Sequence, residues 1–261
     1  MKSMKALSLF SGIGGIDLAC EWAGIETVAF CEREPFPQQV LKKHWPHVPI
    51  YDDVCTLTKE RLEADGIGTI DLIHGGYPCQ PYSLYGEREG AEDDRALWPE
   101  VCRLIETIRP SWFLGENVIG HVTLGLDETL SDLGNLGYTA QPFDIPAVSV
   151  GALDERRRVF IIAYSNSEQW ETPSIFPRLN TKGSPKAPKI WSEFQFYNGG
   201  ANDFLFRKED ESLLCRADDG VPRELDEPRF KALGNAVNPY QVFPFLAGIK
   251  QIDNMMKEMQ K

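Results

Sequence analysis

An α/β fold built on a doubly wound, mostly parallel sheet is predicted for this 261-residue chain. Three observations carry that expectation. Short apolar runs alternate with stretches of helical apolar spacing, as βαβ units require. Glycine-rich turns follow several of the runs. Polar and acidic residues gather where the runs end, at the sheet edge where open α/β folds bind ligands.

The first run, Ala6 to Phe10, leads through Ser11-Gly12-Ile13-Gly14-Gly15 into a helix from Ile16 to Ala23. Thr27 to Cys31 reads as a second strand ending at Glu32, followed by a helix from Phe36 to His44. Ile70 to His74 is a buried strand leading into Gly75-Gly76-Tyr77-Pro78-Cys79-Gln80. Leu97 to Arg109 has helical spacing, Trp112 to Leu114 is a strand ending at Gly115-Glu116-Asn117, and Val159 to Ala163 is a last clear strand. Composition then changes: four prolines (Pro173, Pro177, Pro185, Pro188) fall between Glu171 and Lys189, followed by Trp191, Phe194, Phe196 and Tyr197. A loop-rich subdomain is expected there, and helix resumes from Pro239 to Met259, with proline at its start. The division is 1–164 for the main α/β domain, 165–228 for the small loop-rich region and 229–261 for a returning C-terminal segment.

The bulk numbers narrow the class. With 42% hydrophobic and 25% charged residues the chain is globular, not disordered. The lysines and apolar run of Met1 to Phe10 imitate an export signal, but Ser11-Gly12 and Asp17 break it, and no stretch has the span of a membrane helix. A cytoplasmic protein with no membrane partner is expected. The six cysteines (Cys20, Cys31, Cys55, Cys79, Cys102, Cys215) show no metal spacing, and His44 with His47 are too few ligands, so no metal is expected. A net charge of −12 and pI near 4.9 count against a nucleic-acid partner, although Arg156-Arg157-Arg158 offers local positive potential.

Three places carry candidate chemistry. The Gly12-Gly14-Gly15 turn, between strand and helix, is either an ordinary tight turn or a loop that admits a nucleotide-like ligand. Glu32, 18 residues past Gly14 (32 − 14), is placed to accept hydrogen bonds from a ribose. Cys79 follows a strand, a Gly-Gly pair and a proline, and is either small core filler or a nucleophile at the sheet edge. The polar stretch from Gly86 to Arg95 reads as a lid. Glu116 sits among Phe113, Leu114, Val118 and Ile119, as a proton donor of raised pKa or as half of an ion pair. Arg156 and Arg158 alternate into a strand and can share a face; a solvated surface or a phosphate contact is the plainer account.

Taken together, LFSGIGG (Leu9 to Gly15), Glu32, Asp53-Val54, GGYPCQPYS (Gly75 to Ser83), GENV (Gly115 to Val118), RRRVFIIA (Arg156 to Ala163) and GNAVNP (Gly234 to Pro239) resemble the cytosine-5 DNA methyltransferase family, in its compact phage and bacterial form. The resemblance covers roughly residues 5–164 and 229–250. It implies a Rossmann-like S-adenosylmethionine-dependent methyltransferase fold with a small target-recognition subdomain. It implies methylation of carbon 5 of cytosine in a specific double-stranded DNA sequence, yielding S-adenosylhomocysteine. By likeness Cys79, Glu116, Arg156 and Arg158 are catalytic, and Pro78, Gln80, Ser83 and Asn117 contact the substrate. The cofactor is expected on Phe10, Gly12, Gly14, Glu32, Asp53, Leu97, Asn235 and Ala236. A flipped-out base, a monomer and a cognate restriction endonuclease also belong to the resemblance.

There are departures. Asp154 stands where the family has glutamine or histidine, and Leu153 replaces a common proline. Between Ser165 and Cys215 six basic residues face seven acidic ones, so the recognition region has no evident electrostatic grip on DNA. Cytosine-5 methylation of transfer RNA, and a non-catalytic cofactor- or nucleic-acid-binding regulator, are the alternatives.

Overall fold

The computed structural model describes residues 3–78, 97–152, 156–166 and 231–259. Seven strands form one sheet in the order β3-β2-β1-β4-β5-β7-β6. They are β1 (Met4–Leu9), β2 (Ile25–Cys31), β3 (Ile50–Tyr51), β4 (Leu72–Gly75), β5 (Trp112–Val118), β6 (Tyr138–Pro146) and β7 (Arg157–Ser165). From β3 through β5 the pairing is parallel; β7 runs antiparallel to both β5 and β6. Strand order reverses around β1, which lies between β2 and β4. The carboxyl ends of strands flanking such a reversal open a crevice for a ligand.

Helices cover both faces. On one side α1 (Gly15–Trp22) and α7 (Pro239–Met259) enclose Ala6, Ile16, Ala19, Leu72, Leu114, Phe160, Val242 and Leu246. On the other, α3 (Lys59–Ala64), α4 (Trp98–Ile108) and α6 (Leu126–Asn135) bury Leu62, Leu104 and Leu133 against Leu7, Ile73, Phe113 and Ile161. The short helices α2 (Pro35–His44) and α5 (His121–Leu124) follow β2 and β5. Among the described residues, no helix is long and apolar enough to cross a membrane.

Local chemistry sets the boundaries. Thr58 Oγ1 accepts the amide of Arg61 at 3.2 Å and starts α3. Proline in the first turn opens α4, which ends at Arg109 in the left-handed region, φ 58°. Gly14 caps α1 at φ 84°, and a Cβ there would lie 2.5 Å from the ring of Trp45, so conformation and space both demand glycine.

Of the boundaries that differ from those the sequence predicts, two bear on the site. Phe10 leaves β1 and turns to φ 50°, a strained conformation for a bulky side chain, because the loop must fold back over the sheet edge. Strand β5 runs on through Gly115-Glu116-Asn117, because β7 pairs with it up to Val118 opposite Arg158. Glu116 is therefore held in strand pairing opposite Phe160 of β7, not by a loop.

Candidate active site

A cleft of about 1200 Å³ opens at the carboxyl ends of β1, β2, β4 and β5. That is larger than an ordinary small-molecule pocket, with room for a cofactor and a second reactant. Seven of the expected cofactor residues line it: Phe10, Gly12, Glu32, Asp53, Leu97, Asn235 and Ala236. Gly14 does not; it sits behind the loop against Trp45 and Leu41.

Glu32 ends β2 and is buried. Its Oε2 accepts the amide of Gly12 at 2.7 Å, and its Oε1 accepts the amide of Glu34 at 2.8 Å. One carboxylate thus ties the β1–α1 loop to the start of α2. Each oxygen has a further lone pair, so two ribose hydroxyls can still be accepted. Asp53 Oδ1 accepts the amide of Cys55 at 2.9 Å, which turns the chain at the cleft edge. Beneath the floor, Asp17 accepts Ser8 Oγ at 3.0 Å and Thr27 Oγ1 at 2.9 Å, with His74 Nε2 at 3.3 Å, all four buried.

The roof is the returning segment. Residues 231–235 form a helical turn, and Asn235, Ala236 and Val237 face the cleft. The carbonyl of Val237 lies 2.3 Å from where a Cβ on Gly15 would stand, so glycine is needed for this approach. Arg156 donates to the carbonyls of Leu233, at 3.2 and 3.3 Å, and Gly234. Gln241 Nε2 donates to the carbonyls of Ile145 and Arg156 at 2.8 and 3.0 Å. Lys231 Nζ bridges to Glu34 Oε1 at 3.3 Å. Arg156 is thus a strap for the segment that closes over the cofactor residues, which its place in an arginine run did not reveal.

At the other end of the cleft, Arg158 Nε lies 2.8 Å from Glu116 Oε1. Arg157 pairs with Asp144 instead, so successive arginines serve different partners. Glu116 is 7% exposed. Burial pushes its carboxyl up to about 7, and Arg158 and Arg156 oppose the rise. Glu116 is thus half of an ion pair, its carboxyl raised by burial toward neutrality. Gly76 makes room for it, since a Cβ there would stand 2.6 Å from Glu116 Oε2. That requirement is invisible in a Gly-Gly pair read as a turn.

Asn117, expected at the substrate, makes its resolved contacts with the chain itself. Its Nδ2 donates to the carbonyl of Tyr77 at 3.1 Å, and its Oδ1 accepts the amide of Val118 at 2.9 Å. Pro78 lines the cleft. Cys79, Gln80, Ser83, Asp154 and the recognition region at 167–228 lie outside the described residues. Among the described residues, no cluster of metal-ligating groups occurs.

The donor set suits S-adenosylmethionine: a ribose-directed carboxylate with spare acceptor capacity, and a glycine loop and roof that admit a ligand beside backbone. Fold and cleft define a Rossmann-like α/β protein of the S-adenosylmethionine-dependent methyltransferase class. Within that class the chain belongs to the C-5 cytosine-specific DNA methylase family, whose sequence profile it matches over residues 4–211. Type II methyltransferase M2.BsuMI of Bacillus subtilis is 36% identical over 169 residues, 61% of this chain and 42% of that one. Type II methyltransferase M.MspI of Moraxella is 29% identical over 251 residues, 94% of this chain and 56% of that one. A DNA modification methyltransferase encoded within an E. coli prophage superposes with a TM-score of 0.54 at 26% identity, covering 63% of this chain and 47% of its own. The DNMT2 of Spodoptera frugiperda, at 24% identity and TM-score 0.55 over 65% of this chain and 52% of that one, shares the fold. The chain spans about half the length of the relatives it matches.

Proposed function

We propose that the protein methylates carbon 5 of cytosine in double-stranded DNA, with Cys79 as nucleophile and Glu116 as acid. The reading is carried by one observation within this family's fold: a buried carboxyl poised near pH 7 and paired to an arginine, facing the cleft beside the turn that leads to Cys79.

Carbon 5 of cytosine is too weak a nucleophile to take a methyl group unaided. Addition of the Cys79 thiolate to carbon 6 forms an S–C bond and pushes electron density to carbon 5 and N3. Glu116 relieves the charge by giving its proton to N3, and Arg158 holds the carboxylate left behind while its remaining N–H groups reach the O2 oxygen. S-adenosylmethionine supplies the electrophilic methyl and leaves as S-adenosylhomocysteine. Loss of the carbon 5 proton, to water, then expels the thiolate and restores the aromatic ring; N3 returns its proton to Glu116. The base must leave the duplex to meet these groups. Glu32 and Asp53 hold the nucleoside end of the cofactor, and Arg156 acts on it through the roof.

The test is transfer of tritiated methyl from S-adenosylmethionine to duplex DNA, with a 5-fluorocytosine duplex as trap. Label in 5-methylcytosine and an adduct that Cys79→Ala abolishes support the reading. Label appearing in transfer RNA alone moves the substrate to RNA. Cofactor binding with transfer to neither polymer refutes the enzyme.

A further inference from the structure

Tyr77 is gripped at both ends by the segment that carries Glu116. Its backbone carbonyl accepts Asn117 Nδ2 at 3.1 Å, one residue beyond Glu116 on β5. Its hydroxyl lies 2.9 Å from Nε2 of His121, at the start of α5, and 3.4 Å from Thr129 Oγ1 on α6. Thr129 Oγ1 is itself 3.2 Å from the same His121 nitrogen. The three side chains are buried. The ring is clasped too, with its centroid 4.7 Å from that of Trp98 and edge-on to His121 at 5.5 Å. With Nε2 of a neutral imidazole as acceptor, its single lone pair takes one hydroxyl proton, and the Tyr77–Thr129 contact links the two hydroxyls. Burial lowers the pKa of His121 and keeps the ring neutral.

Tyr77 and Asn117 line the cleft, while His121 and Thr129 stand behind them, and core packing alone does not ask for such a polar network. A phenylalanine would fill the same space without two hydroxyls and an imidazole to satisfy in the interior. What the network does is geometric. Tyr77 stands two residues before Cys79 in the chain, and both of its anchors, Asn117 and His121, belong to the strand and turn that hold Glu116.

We infer that Tyr77, His121 and Thr129 form a positioning clamp that sets the turn bearing the nucleophile against the strand bearing the acid. The inference rests on the reading of Cys79 and Glu116 given above. The clamp matters because the thiolate and the acid work on the same ring from two different strands, and an offset of a fraction of an ångström is costly in such geometry.

The experiment is a double-mutant cycle on the full chain. Tyr77→Phe deletes one oxygen and keeps the ring. His121→Leu removes the acceptor, and His121→Gln restores one through its amide oxygen. Expected is a fall of about tenfold in kcat for Tyr77→Phe, the loss of one buried hydrogen bond, with S-adenosylhomocysteine affinity unchanged. His121→Leu matches it, the double variant is no slower than either single, and His121→Gln recovers part of the rate. An unchanged kcat in Tyr77→Phe, additive losses, or a parallel loss of cofactor affinity overturns the clamp. Should the wild type transfer no methyl at all, the proposed function falls, and the clamp is judged by amide hydrogen exchange at Gly76 and Tyr77. Tyr77→Phe then exchanges faster at both, and equal exchange overturns it.

Discussion

Replacing Glu116 with glutamine keeps the shape of the side chain and removes its proton chemistry, and the consequence depends on pH in a direction that burial dictates. The carboxyl rises from 4.5 to about 7 in the folded protein. In the unfolded chain it ionises at the lower value, so between the two the folded state alone holds the proton. Its contribution to stability is full below about pH 4.5 and is lost as pH rises through about 7. A displacement from 4.5 to about 7, at 1.36 kcal/mol per pH unit, makes the total about 3 kcal/mol. Wild type and Glu116→Gln are unfolded in urea at a series of pH values from 4.5 to 8. Across that span the wild type is expected to lose about 3 kcal/mol that the variant keeps. The difference between the two isolates Glu116 from every other titrating group. Curves that stay parallel to within about 0.5 kcal/mol, or a wild type that gains on the variant as pH rises, refute the burial argument. In the methyl-transfer assay the same ionisation appears as a rate that declines above pH 7, and Glu116→Gln is slower throughout without that decline.

Three other substitutions probe the rest of the site. Gly76→Ala puts a Cβ 2.6 Å from Glu116 Oε2 and displaces the carboxyl; methyl transfer is expected to fall about a hundredfold while S-adenosylhomocysteine still binds in calorimetry. Glu32→Ala strands the amides of Gly12 and Glu34 and removes the ribose acceptor. A loss of about tenfold to a hundredfold in S-adenosylhomocysteine affinity is expected, and unchanged affinity rules out the ribose role. Thr58→Ala removes the cap of α3, outside the cleft lining; thermal unfolding should register a loss of about 1 kcal/mol, with kcat unaltered.

Of the parallel strands, β1, β2, β4 and β5 were legible because each is an apolar run punctuated by glycine or an acid. Strand β6 was not. Its sequence YTAQPFDIP mixes polar residues and two prolines, and only its place at the sheet edge, paired to β7 alone, lets proline stand there. Strand β3 is two residues long and helices α3 and α5 are six and four, below the length at which periodicity speaks; α6, as long as α2, was overlooked. In the site, Glu116 stood out from its apolar setting and Arg158 through the family resemblance, and their side chains meet at 2.8 Å. The partners that Arg156, Asn117 and Gly76 have within the chain were not anticipated, because they are backbone carbonyls and the space left by a missing Cβ. Such partners are set by tertiary approach and leave no signal in the residues themselves. The Tyr77–His121 clamp joins positions 44 apart, beyond the reach of any local pattern.

The strap at Arg156 has a bearing on how proteins of this shape diversify. Its guanidinium reaches 77 positions along the chain to hold the carbonyl of Leu233, while β7 ends at Ser165 and the helical turn begins at residue 231. The two ends of the intervening stretch are thereby moored to the catalytic body by their own contacts. Lengthening a connection whose ends are already moored costs little, about 0.6 kcal/mol for each doubling. If target preference resides between those ends, as the family resemblance implies, it can be rewritten there by splice or by drift without renegotiating the sheet, the returning segment or Glu116.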